Sequence, residues 1–158
     1  MIRIIVVGKV KEAWMRSGIQ EYLKRLSAYE KIEVVEVNDE KAPESNSNAQ
    51  NDEAKKKEGA RLLKKIKDQE YVILLDLAGK MKSSEELSRQ LDQLYTQGKS
   101  QICFVIGGSL GFSSEVIARA NDRWCLSLST FPHQLVRILL LEQIYRSFRI
   151  LNHEPYHK

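Results

Sequence analysis

Apolar positions along the chain follow two alternating periods. Continuous apolar runs at Met1–Gly8, Glu70–Asp76 and Gln101–Ile106, the last running into Gly107-Gly108, read as buried strands. Lys31–Val37 alternates apolar and polar residues like a half-buried strand, and a further short strand is expected near Arg123–Leu126. Between these runs the spacing turns helical: Lys11 to about Ser27 (Trp14, Ile19, Tyr22, Leu23, Leu26), a lysine-rich Asp52–Lys67, Ser83–Gln97, a short Ser113–Ala120 and a long His133–Leu151. Ser83 or Ser84 is placed to cap the third helix, with Glu85 and Glu86 favouring its positive N-terminal end. Asn38–Asn51, rich in Asn, Ser and Pro, reads as a mobile loop. Strands alternating with helices predict an α/β fold with a mostly parallel sheet, and ligands of such sheets lie outside the carboxyl ends of strands. Three such ends stand out: Leu74-Leu75-Asp76, Ile106-Gly107-Gly108 and Leu126–Phe131.

The last predicted helix is apolar nearly all round, from Leu135 and Val136 to Ile150 and Leu151. Arg137 falls within the stripe formed by Leu140, Leu141, Ile144 and Phe148, with His133 one turn before it. A cation there requires a partner, because an unpaired buried charge is costly. The apolar remainder of the helix predicts a second subunit.

Composition changes this picture little. With 158 residues, 42% of them hydrophobic and 29% charged, the chain can fill one core, and no compositional break divides it. The net charge of +4 leans mildly towards polyanionic partners. Cys103 and Cys125 have no metal-like spacing and read as reduced core thiols. No apolar run reaches membrane-spanning length, so no membrane partner and a cytoplasmic location are expected.

Candidate chemistry concentrates at the strand ends and the C-terminus. Gly107-Gly108-Ser109-Leu110-Gly111-Phe112 is neither GxGxxG nor a phosphate-binding Walker loop, and it serves equally as a tight turn or as backbone that approaches a ligand. Leu126–Phe131 offers backbone groups and the hydroxyls of Ser127, Ser129 and Thr130, able to read an adenine edge and ribose; the competing role is capping of the next helix by Ser129 or Thr130, with Pro132 in its first turn. Arg146 and Arg149 share a more polar side of the last helix with Glu142, and surface pairing is the expected role of Arg149. In the tail, Tyr156 can stack on a base and His157 can exchange a proton near neutral pH, whereas His153 and His157 lack a third metal ligand. Lys55, Lys56, Lys57, Arg61, Lys64, Lys65 and Lys67 make one helix basic: a solvated face paired to Glu53, Glu58 and Asp68, or a phosphate-facing surface.

Taken together, Ile106-Gly107-Gly108-x-x-Gly111, Leu126-Ser127-x-x-Thr130-x-Pro132-His133-x-x-x-Arg137, Glu142-x-x-Tyr145-Arg146 and Pro155-Tyr156-His157 resemble the RlmH (YbeA-like) family of the SPOUT superfamily, ribosomal RNA large-subunit methyltransferases. The resemblance spans the whole chain, residues 1–158 as one domain, and is weakest over Asn38–Asp52. It implies a C-terminal trefoil knot, an obligate homodimer, S-adenosylmethionine as methyl donor without a metal, and methylation of the N3 position of a pseudouridine in 23S rRNA on the assembled 70S ribosome. It places Leu75, Gly107, Leu126, Ser127, Leu128, Ser129, Thr130 and Phe131 at the donor, and His133, Arg137, Arg146, Tyr156 and His157 on the substrate side. His157 or His133 is then expected to assist proton loss, Arg137 or Arg146 to hold phosphate or developing negative charge, and Tyr156 to position the base. A nicotinamide-dependent oxidoreductase is disfavoured by the glycine pattern. A non-catalytic ribosome-associated factor fits charge and dimer as well, and differs in binding no methyl donor.

Overall fold

The computed structural model describes Met1–Lys158. Its strands are β1 (Ile2–Val7), β2 (Ile32–Val37), β3 (Tyr71–Met81), β4 (Ile102–Ile106) and β5 (Asp122–Cys125). They form one sheet in the order β2-β1-β4-β3-β5, every neighbouring pair parallel. The intervening helices are α1 (Ala13–Leu26), α2 (Asn48–Lys65), α3 (Ser84–Thr96), α4 (Ser114–Arg119) and α5 (His133–Leu151). The expected α/β fold is therefore present, with a sheet that is parallel throughout.

Strand periodicity divides the core in two. Ile2, Ile4 and Val6 of β1 face one side with Ile102, Phe104 and Ile106 of β4, and are covered by Ile19 and Leu26 of α1, Leu87, Leu91 and Leu94 of α3, and Leu140, Leu141 and Ile144 of α5. Ile5 and Val7, with Val72, Leu74, Cys103 and Val105, face the other side under Leu62 of α2 and Val116 of α4. Both faces are buried, which is why the central strands read as unbroken apolar runs. Cys103 and Cys125 are free and buried as expected, and burial pushes the Cys103 thiol up to about 12, so it is not reactive.

Three elements differ from the sequence expectation. The segment read as a loop to Asn51 becomes helical at Asn48, because Ser47 and Gln50 form a reciprocal capping box. β3 continues past Asp76 to Met81: Trp124 of β5 pairs with Leu75 and again with Lys80, the residues between them bulging out of register. Trp14 is 62% exposed, and Met15 takes the buried position. Five residues before Ile19, Trp14 lies about 140° around the helix from it, on the opposite side from the core.

Candidate functional site

All five strands end at one edge of the sheet, and α5 begins there. The carboxyl ends of β4, β3 and β5 surround a cavity of about 240 Å³, just below the roughly 300–1,000 Å³ typical of small-ligand clefts. Leu75, Gly107, Leu126, Ser127, Ser129, Thr130 and Phe131 all line it, together with Asp76, Ser109, Phe112 and His133. Leu128 does not: its side chain is 78% exposed and points away, so this residue can contribute only backbone.

Two details favour a ligand at this cavity over a mere turn. The N-cap of α5 is Pro132, and no side chain caps the helix, so the hydroxyls of Ser129 and Thr130 are not consumed as capping groups. Ser127 Oγ accepts from the Ser129 backbone N–H at 3.0 Å and holds the loop in its turn. At Gly107 a Cβ would come within 3.0 Å of the Phe112 ring, so this position keeps its backbone bare at the cavity wall.

A second depression, a polar groove of about 810 Å³, lies over the ends of β1 and β2. It shares Gly108, Ser109 and His133 with the cavity, so these three residues form the wall between them. His133 is half-buried, and burial followed by the nearby Arg137 charge lowers its pKa, leaving a neutral imidazole at pH 7. Arg137 is 4% exposed, in the apolar stripe where its spacing placed it. It donates to Glu36 Oε2 at 2.6 Å and to the Gly8 carbonyl at 2.8 Å, tying α5 to the ends of β2 and β1. Its Nε has no partner.

The remaining predicted site residues form a separate cluster at the far end of α5. Arg146 donates to Glu142 Oε1 through Nε (2.9 Å) and Nη2 (2.6 Å), and its guanidinium lies 4.7 Å from the Tyr156 ring centroid. Tyr156 donates to Glu142 at 3.2 Å and meets Tyr145 edge-on at 5.0 Å. Burial is the first cause that pushes the Tyr156 phenol up to about 12, so it stays a neutral donor. His157 sits 3.1 Å from Arg146 Nη1 through Nδ1 and 2.6 Å from Glu85 through Nε2. Arginine can only donate, so Nδ1 accepts, and the Nε2 proton faces Glu85; both nitrogens are engaged. From His133 to Arg146 the helix rises about 20 Å at ~1.5 Å per residue. The structure thus joins His133 to the cavity and Arg137 to the adjoining groove, but brings Arg146, Tyr156 and His157 of the same chain to neither.

The tail is held rather than loose. Arg149 pairs with Glu154 and donates to Tyr29 Oη at 2.9 Å and to the Pro155 carbonyl at 3.1 Å, so its role is anchoring the C-terminus, not only surface pairing. On α2 the ion-paired face does not form: Lys55 reaches Asp52 at 3.9 Å, while Lys56, Lys57, Lys64 and Lys65 have no acidic partner.

Glu58 was missed as a site residue. It is 4% exposed, accepts from the Glu40 backbone N–H at 2.9 Å, and lines the groove; burial raises its pKa. Its Oε1 has no partner and lies 2.8 Å from where a Gly108 Cβ would be. The signal was available: Glu58 sits between buried Ala54 and Leu62 at i, i+4 spacing, as Arg137 sits in its own apolar stripe.

Comparison with known proteins agrees with this geometry. The chain is 58% identical to a ribosomal RNA large subunit methyltransferase H of Listeria monocytogenes and 59% identical to one of Bacillus thuringiensis, each over 157 residues that cover 99% of both chains. Among solved structures, a probable methylase family protein of Haemophilus influenzae shares the fold, with a TM-score of 0.55 at 13% identity, over 96% of this chain and 66% of that one. A family model described as "Predicted SPOUT methyltransferase" matches residues 1–157, and the chain belongs to that family.

Proposed function

We propose that this protein uses S-adenosylmethionine to methylate N3 of a pseudouridine in 23S rRNA, acting in the cytoplasm as a homodimer on the assembled 70S ribosome. The observation that carries the reading is a cavity walled by bare backbone and unused hydroxyls, opening past His133 into a polar groove. The donor set fits: Gly107, Leu126 and the Ser127–Phe131 backbone suit an adenosyl group, and Leu75 and Phe131 supply apolar walls. When bound there, S-adenosylmethionine supplies an electrophilic methyl on a sulfonium. No metal is required for that chemistry.

The residues of this chain do the rest by alignment and proton handling. An imide nitrogen is a poor nucleophile until it loses its proton. His133, neutral and on the wall shared by cavity and groove, is the acceptor available within one chain. Arg137, one turn further along α5 and already paired with Glu36, adds to the burial that keeps the His133 imidazole neutral.

A homodimer brings in the other cluster. Leu135, Leu139, Ile150 and Leu151 remain half-buried on α5, and Trp14 is exposed on α1, which packs beside it. Pairing two α5 helices antiparallel about a twofold axis sets the start of one beside the end of the other. Arg146, Tyr156 and His157 of each chain would then reach the wall formed by its partner. The trefoil threading of the family is consistent with the 107–112 and 126–131 loops meeting in one cavity. A subunit this small cannot enclose a ribosomal site, so selectivity is assigned to docking, with the unpaired lysines of α2 as contacts.

The test is transfer of labelled methyl from S-adenosylmethionine to 70S ribosomes lacking the modification, with free 23S rRNA alongside. Label on a pseudouridine in ribosomes alone supports the full reading. Label on free RNA at equal rate removes the 70S requirement. No label with donor demonstrably bound removes the substrate, and no donor binding removes the activity.

A further inference from the structure

The groove over β1 and β2 meets the donor cavity only at the wall of Gly108, Ser109 and His133. Lys9, Lys11 and Lys41 stand exposed along it, and none has an acidic partner. Its other cations are neutralised within the chain: Arg61 pairs with Glu40 and Arg137 with Glu36. Two exposed carboxylates without a cationic partner, Glu12 and Asp39, line it as well, so the three free lysines exceed the free surface acids by one. Three free lysines alone would describe a solvated surface. The floor sets this groove apart. Two buried polar atoms there lack partners, the Nε donor of Arg137 and the Oε1 acceptor of Glu58, each on a residue 4% exposed. Buried polar groups without partners are uncommon and costly, and the chain itself supplies a complement to neither atom.

We propose that this groove is the track of the acceptor RNA strand, with the backbone phosphates flanking the target nucleotide on Lys9, Lys11 and Lys41. The strand then passes the Gly108–Ser109–His133 wall, and its base faces the methyl donor across it. This assignment rests on the methyltransferase reading above for the identity of the strand, but the groove's affinity for RNA can be measured without methyl transfer. Single-strand backbone contacts release about 0.7 counterion each, so three lysines contribute about 2 to the salt slope of binding.

The experiment compares the full-length protein with the triple variant Lys9→Gln, Lys11→Gln, Lys41→Gln. All three side chains are exposed, so the variant is expected to fold, and unchanged S-adenosylmethionine affinity by calorimetry verifies it. Binding to unmodified 70S ribosomes is titrated with KCl, and the slope of log K against log salt should fall by about 2. In parallel, a Lys11→Cys variant carries a thiol-directed photo-crosslinker; Cys103 and Cys125 are buried, so the introduced thiol is the reactive one. Expected is one discrete rRNA crosslink, within a few nucleotides of the methylated position. A wild-type slope in the triple variant, or crosslinks only to ribosomal protein or scattered rRNA, overturns the proposal. A discrete rRNA crosslink with a reduced slope, but no methyl transferred by the wild type, leaves the groove standing and removes the methylation reading instead.

Discussion

Arg137 offers a quantitative test of how α5 is fixed over the strand ends. Its side chain is 4% exposed, and it bonds Glu36 at 2.6 Å and the Gly8 carbonyl at 2.8 Å. Replacing it by Met keeps much of the volume but leaves a carboxylate and a carbonyl without their donor. Breaking a fully buried pair costs about 3–5 kcal/mol. The Glu36 side chain is 38% exposed and can recruit water, so the cost falls below that range, to about 2–3 kcal/mol. For a chain of this size each kcal/mol moves Tm by about 2–4 °C, so Arg137→Met should melt roughly 4–12 °C below wild type. The assay is calorimetric melting of wild type, Arg137→Met, Glu36→Gln and the double variant. The cycle isolates the pair, and a coupling of about 1–3 kcal/mol is expected. Melting of Arg137→Met within 1–2 °C of wild type, as roughly judged by the same conversion, would show that the contact holds nothing. Zero coupling with a large single effect would assign the stability to Gly8 and packing instead of Glu36.

The same structure makes three further predictions. If His133 is the proton acceptor, its lowered pKa keeps methyl transfer flat above pH ~6.5, with an acid limb below that value; Arg137→Met should move the limb upward as the neighbouring charge goes, and His133→Ala should cost about 100-fold or more in kcat by single-turnover measurement. Glu58 has its folded pKa raised by burial, so its ionisation destabilises the fold: stability is lost as pH rises from the unfolded carboxyl value of about 4.3 through the raised folded one, and the Tm of Glu58→Gln should gain on wild type over that span, which a pH series of melts checks. Gly79→Ala puts a Cβ 2.5 Å from the Arg123 carbonyl carbon and oxygen, with nothing flexible to give way, and should cost about 1–3 kcal/mol in denaturant titration by forcing β5 away from β3.

Most of the fold was legible because it is written in local periodicity. Strands buried on both faces show as unbroken apolar runs, and α3 shows its heptad-like Leu87, Leu91 and Leu94 behind a Ser83 capping box. What escaped has a different physical origin. The start of α2 depends on one reciprocal pair, Ser47 with Gln50, hidden in a stretch whose composition says loop. The extension of β3 depends on pairing with β5 across a bulge, a contact made far along the chain, and its exposed Leu77 and Met81 carry no burial signal.

The candidate site divides along the same line. Residues that line the cavity lie at strand ends, so the alternation of strands and helices was enough to mark the three segments, while the choice of Leu75, Gly107 and Leu126–Phe131 within them came from the family resemblance, and neither could show that Leu128 turns outwards. Arg137 was legible because a charge in an apolar stripe must be answered, and the reply proved to be Glu36 on a strand about a hundred residues earlier. The same reasoning applies to Glu58, hidden among lysines that drew attention to the helix surface. Its unpartnered oxygen and the unpartnered Nε of Arg137 are features of packing, invisible to composition. On the RNA track proposed above, lysines on the rim attract any phosphate backbone, but a buried donor and acceptor gain only from a partner that supplies their complements. Affinity for the ribosome should therefore follow the lysines and the salt, whereas the choice of nucleotide should follow Arg137 and Glu58.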